Sequence, residues 1–125
     1  MEYQEAFPDL ADVYLEDSWV LGIASTERDV AFQLDAVLTP SHPLYQPPAP
    51  GEQHCYRPAR LSVSSRKLRL DRSELPAATD ASGDSDFGNV DVVAHVVWDG
   101  EPAWEMSGDW GILRSVEPSV SLTFD

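Results

Sequence analysis

At 125 residues the chain can bury one hydrophobic core but not two, and its 42% hydrophobic content, with four Trp, four Tyr and four Phe, excludes a chain kept unfolded by charge. A formal net charge of −14 disfavours nucleic acid as a partner, because phosphate contacts need a basic surface. There is no run of the ~20 apolar residues that a membrane helix needs, and the acidic opening MEYQEAFPDL lacks the basic region and apolar run of a signal peptide. A cytoplasmic location away from membranes is the resulting expectation. The single cysteine, Cys55, permits no internal disulfide and fits a reducing compartment.

In chain order, the first expected element is one short helical turn near FPDLAD, where Pro8 suits a first helical position and Asp9 and Asp12 sit near its positive end. Residues 13–24, VYLEDSWVLGIA, are β-branched and aromatic enough for a strand, with a bend or edge position at Asp17-Ser18. Residues 29–39 alternate, Val30, Phe32, Leu34, Ala36 and Leu38 on one face against Gln33 and Asp35 on the other, and STERD joins the two strands as a hairpin. Residues 40–58 hold six of the ten prolines and read as a long loop, a feature more often functional than a short turn.

Residues 59–70 place Leu61, Val63, Leu68 and Leu70 between bases, which suits one or two strands with a basic outer side. Residues 71–88 read as a polar, acidic loop. NVDVVAHVVW, residues 89–98, is short, β-branched and apolar on both faces, the pattern of a central or sandwich-core strand. Asp99-Gly100 then turns the chain into AWEMS, with Trp104 and Met106 on one face and Glu105 on the other. A further short strand, a break at Pro118, and a last strand carrying Val120, Leu122 and Phe124 inward complete the chain. The expected fold is all-β and mainly antiparallel, a single domain over residues 1–125 built as a β-sandwich or partly open barrel of about 6–8 short strands.

Charge is unevenly spread: −9 over residues 1–56, +5 over 57–72 and −10 over 73–125. Such a surface keeps a protein soluble and can also draw in a basic partner. The basic stripe from Arg57 to Arg72 is either an interface or an internal counterweight to the acidic loop.

Chemical motifs are sparse. Counting Asp80 as the first position of a calcium loop aligns Ser82, Asp84 and Asp91, yet Ser85 replaces the required glycine and the twelfth position is Asp rather than Glu. Calcium bound in some other geometry is the weaker alternative to a site with no cofactor. His42, His54 and Cys55 lack the paired short spacings of a zinc site, and His54 and Cys55 point to opposite sides of a strand. His95, between Val93 and Val97, reads as a hydrogen-bonded structural histidine rather than a catalytic one. The serine-hydrolase elbow, the P-loop and the dinucleotide fingerprint are absent.

WEMSGDWG sets Trp104 and Trp110 around Glu105 and Asp109, a pairing of aromatic and acidic groups that suits recognition, although both tryptophans also serve as core plugs. The function expected is a small acidic, non-enzymatic protein-binding module for a basic partner, with Asp84, Asp86, Trp104, Asp109, Trp110, His42 and Tyr45 as its binding residues and a monomeric or dimeric state. In charge and size alone it resembles the small acidic immunity or inhibitor proteins that neutralise a toxic enzyme. The alternative class is a metal-dependent or carboxylate-based enzyme using the loop from Asp80 to Asp91 or the His42/His54 loop.

Overall fold

The computed structural model describes residues 2–73, 78–79 and 85–125, and at 78–79 and 85–86 the backbone alone. Two four-stranded antiparallel sheets form a sandwich. The first has the order β1-β2-β3-β10, built from β1 (Val13–Ser25), β2 (Asp29–Leu38), β3 (Cys55–Ser64) and β10 (Ser119–Phe124). The second has the order β4-β9-β8-β7, from β4 (Leu68–Arg72), β9 (Gly111–Ser115), β8 (Glu101–Gly108) and β7 (Val90–Trp98). A two-residue ribbon, β5 (Ala78–Thr79) with β6 (Ser85–Asp86), precedes β7. No described helix is long and apolar enough to cross a membrane.

The alternation in β2 sets the core of the first sheet. Val30, Phe32, Leu34, Ala36 and Leu38 are all buried, while Gln33 is exposed. Facing them from the second sheet are Met106, Leu113 and Trp110, whose ring meets Phe32 edge-on at 5.0 Å. A pair of this geometry contributes about 0.5–1.5 kcal/mol beyond the area it buries.

The bend expected at Asp17-Ser18 is a large bulge. Tyr14 pairs with Val37 and Trp19 with Asp35, so residues 15–18 stand opposite Ala36 alone. The ladder would leave the Val37 N–H buried without a partner, and the Ser18 hydroxyl accepts it at 3.0 Å while donating to the Tyr14 carbonyl at 2.9 Å. That satisfaction explains how a fully buried serine is tolerated in the core.

An α-helical turn, α1 (Tyr3–Ala6), and a 3-10 turn (Pro8–Leu10) close one mouth of the sandwich. The 3-10 turn lies where Pro8 predicts it; α1 is too short to show a helical period and goes beyond the sequence reading. Tyr3 is buried, its hydroxyl donating to Glu16 Oε2 at 2.6 Å and accepting from the Leu15 N–H at 2.9 Å. Burial first, and donation to Glu16 second, hold its pKa far above the ordinary tyrosine value. Beneath this cover remains an apolar cavity of about 40 Å³, lined by Tyr3, Phe7, Leu61, Trp104 and Met106 among others. It has room for little more than a water-sized guest, not a ligand.

Three expectations need correcting. The first concerns residues 89–98, which form the outermost strand of the second sheet rather than a central one. Val97 is 77% exposed and His95 is exposed, unlike the residues of a central strand. Secondly, the proline-rich loop ends earlier than residue 58, since β3 begins at Cys55 and pairs through Pro58 with Asp35. Pro58 lies just past the end of the β10 ladder, which begins at Ala59, and its carbonyl still accepts the Asp125 N–H at 3.1 Å, so the proline omits a donor only at the margin of the sheet. Pro102 uses the same device in β8, whose pairing with β9 spans Trp104–Gly108. Thirdly, the expected loop over 71–88 contains the end of β4 and the β5–β6 ribbon.

The Asp99-Gly100 turn fits its sequence signal. Trp98 pairs with Glu101, and positive φ at both Asp99 (51°) and Gly100 (77°) gives the two-residue hairpin turn whose twist matches its strands.

Candidate interaction surface

The second sheet is uncovered at the corner made by β7 and the β7–β8 turn. Val93, His95 and Val97 share the inner face of β7; Val93 packs on the core, whereas His95 and Val97 run past it. His95 lies against Trp104 at 5.2 Å, and Trp104 in turn meets Phe7 at 5.2 Å, so a row of rings leads from the helical cover to the surface. On the outer face, Val92 is 45% exposed. His95 is thus a surface residue stacked on an aromatic ring, not the enclosed structural histidine expected.

The end of this corner is held by part of the basic stripe. Arg66 binds Glu101 at 2.7 Å, and Lys67 binds Asp99 at 3.1 Å and Glu101 at 3.3 Å while its ammonium lies 4.6 Å from the Trp98 ring centre. The hydrogen bond from Arg66, then that from Lys67, lowers the Glu101 carboxyl below its usual range, and the bond to Asp99 raises the Lys67 ammonium. Each exposed pair contributes little to stability on its own. Together they pin the β3–β4 crossing to the β7–β8 turn, so residues 66–67 act as a counterweight to Asp99 and Glu101. Glu105, next to Trp104 in β8, pairs with Arg114 at 2.9 Å.

The expected binding residues are spread over several parts of the fold. Trp110 is 2% exposed and plugs the core against Phe32, so it offers a partner no surface. Trp104 is half-buried in the ring row. Asp109 is exposed in the β8–β9 turn and lies against the Gly88 backbone, where a side chain at position 88 would collide with its carboxylate. Asp84 lies outside the described residues, and Asp86 is described in its backbone alone.

His42 and Tyr45 sit in the proline loop. His42 Nδ1 accepts from the Leu44 N–H at 3.0 Å and its ring meets Phe124 at 5.3 Å, which makes it a loop-anchoring residue. Tyr45 joins Tyr14, Pro48, His54 and Cys55 in walling a groove of about 300 Å³ between the loop and β1. His54 Nε2 approaches Asp17 Oδ2 at 3.4 Å, an ion pair when the histidine is protonated. Cys55 is buried, its sulfur accepting from the Gln46 N–H at 3.4 Å. Among the described residues no group of three or more His, Cys, Asp or Glu side chains converges as a metal site; the expected calcium loop at Asp80 begins outside them.

Residues 92–98 are the surface feature that the sequence reading missed. A signal was available: VVAHVVW carries no Lys, Arg, Asp, Glu, Pro or Gly, the residues that natural edge strands use for protection. Compared with known proteins, the chain matches no family model, no curated protein and no solved structure.

Proposed function

We propose that the chain is a cytoplasmic, non-enzymatic protein-binding module that engages a basic partner. The observation that supports this reading is the uncovered corner of the second sheet, where Val97 and His95 present an apolar and aromatic strip on a molecule of net charge −14. Apolar surface supplies the affinity of such a contact, and the acidic field supplies the encounter rate and the choice of partner. Asp91 and Asp109, both exposed, belong to that field.

The test begins with native mass spectrometry of the protein gently isolated from its own cells, followed by association kinetics with any stoichiometric protein found. Raising salt from ~0.05 to ~0.5 M shortens the Debye length to about 4 Å and should slow association at least tenfold. An unchanged rate, or a partner with an acidic surface, would overturn the electrostatic reading.

A further inference from the structure

A sandwich of two open sheets has four outer edges, here β1, β10, β4 and β7. Unpaired edges invite pairing with other chains, and natural proteins blunt them. Three of these are blunted in recognisable ways. The β1 edge is broken by two register shifts and then paired, Val20 N–H donating to the Gly88 carbonyl and Phe87 N–H to the Val20 carbonyl. Along β10, the 3-10 turn lies over the strand and the Asp9 carboxylate accepts the Leu122 N–H at 3.1 Å. The β4 edge is five residues long, and Arg69, Asp71 and Arg72 are charged.

β7 differs. Its single irregularity falls between Val90 and Val92, before the apolar run, and among the described residues nothing pairs with the outer side of 92–98. Those seven residues have high β-propensity, no formal charge and no proline, the composition that strand addition favours.

We propose that residues 92–98 of β7 accept an extended segment of the basic partner as a fifth strand of the second sheet. This inference rests on the reading of the chain as an acidic module for basic proteins. Backbone groups of β7 would supply the hydrogen bonds; on the incoming strand, alternate apolar side chains would cover His95 and Val97, and alternate basic ones would face the acidic field. Charge decides between occupants, since a second copy also carries −14 and would be repelled, whereas a basic segment is drawn in.

The test titrates the full chain with a peptide of about eight residues alternating lysine and valine, following amide hydrogen exchange residue by residue. Exchange at alternate amides of 92–98 should slow at least tenfold on saturation. N-methylation of alternate backbone nitrogens, which preserves charge, should weaken binding by roughly tenfold or more when the methylated face meets β7. Val97→Lys, at a site exposed enough to leave folding intact, should weaken it comparably. Binding that is insensitive to both changes would overturn the strand-addition inference while leaving the acidic-module reading in place. A failure of any basic peptide or protein to bind at low salt would overturn both. Protection of 92–98 in the unliganded chain that disappears on dilution, with a dimer mass in light scattering, would assign the edge to a second copy and overturn the proposal.

Discussion

β10 and β7 are each the outermost strand of a sheet, and they meet solvent in opposite ways. At β10 the chain brings its own N-terminal turns across the sheet, fills the space with Tyr3 and Leu10, and satisfies an edge N–H with Asp9. At β7 the same cover stops at Phe7 against Trp104, leaving His95 and Val97 beyond it. Two edge strands therefore differ in exposure according to where the N-terminal cover, residues 3–10, ends.

Substitutions that break or sharpen this contrast should act with graded effects. The largest is expected from Phe32→Ala under the sealed part of the sandwich, at about 3–5 kcal/mol in urea unfolding, because the cavity it leaves also removes the Trp110 contact. A loss below ~1 kcal/mol would show the sealed side to be looser than its burial implies.

Next comes Tyr3→Phe, which strands the buried Leu15 N–H and should cost about 1–3 kcal/mol. Its pH signature is distinctive. Because the folded-state pKa of Tyr3 is raised, its contribution is full below the unfolded value of about 10 and is lost as pH rises past it. The parent protein should therefore lose stability more steeply than the Phe variant above that pH.

Asp9→Ala should cost about 0.5–1.5 kcal/mol and remove one guard from β10. If guarding is what separates the two edges, this variant gains self-association in light scattering that the parent lacks. Unchanged association would mean that the 3-10 turn alone protects the edge.

Glu101→Gln should have the smallest effect. The lowered Glu101 pKa makes its contribution present above the ordinary glutamate range and lost as pH falls through and below it. Melting curves of variant and parent should thus differ slightly at neutral pH, converge near pH 3, and converge again at high salt.

Much of the architecture is legible in local pattern. The alternation in β2, the Asp99-Gly100 turn, the irregularity at Asp17-Ser18 and the all-β class follow from spacing and residue type. The position of β7 is not legible in the same way. A strand with β-branched residues on both faces reads as central, whereas the exposure of Val97 and the edge position of β7 depend on which strands pair with it, a property of other parts of the chain. The Tyr3 plug was hidden for a related reason, since a four-residue helix has no period and its burial depends on β1. Of the expected binding residues, aromatic identity alone cannot separate Trp110 in the core from Trp104 at its margin. The pairing of Arg66 and Lys67 with Asp99 and Glu101 follows from the crossing of β3 into β4, which is a matter of topology.

The strand order also has a kinetic consequence. β10 closes the first sheet by pairing Ser119 with Ser64, across all the strands of the second sheet that intervene in the chain. Closing so long a loop costs entropy before any contact repays it, which places folding in the ms–s regime rather than the μs regime of locally paired helical proteins. Until β10 arrives, one side of β3 has no neighbour, and the Asp9 contact that later shields the sheet has no Leu122 amide to engage. In any state in which β10 is unpaired, β3 presents a second open edge in addition to β7, and the negative charge that disfavours pairing between copies acts on both.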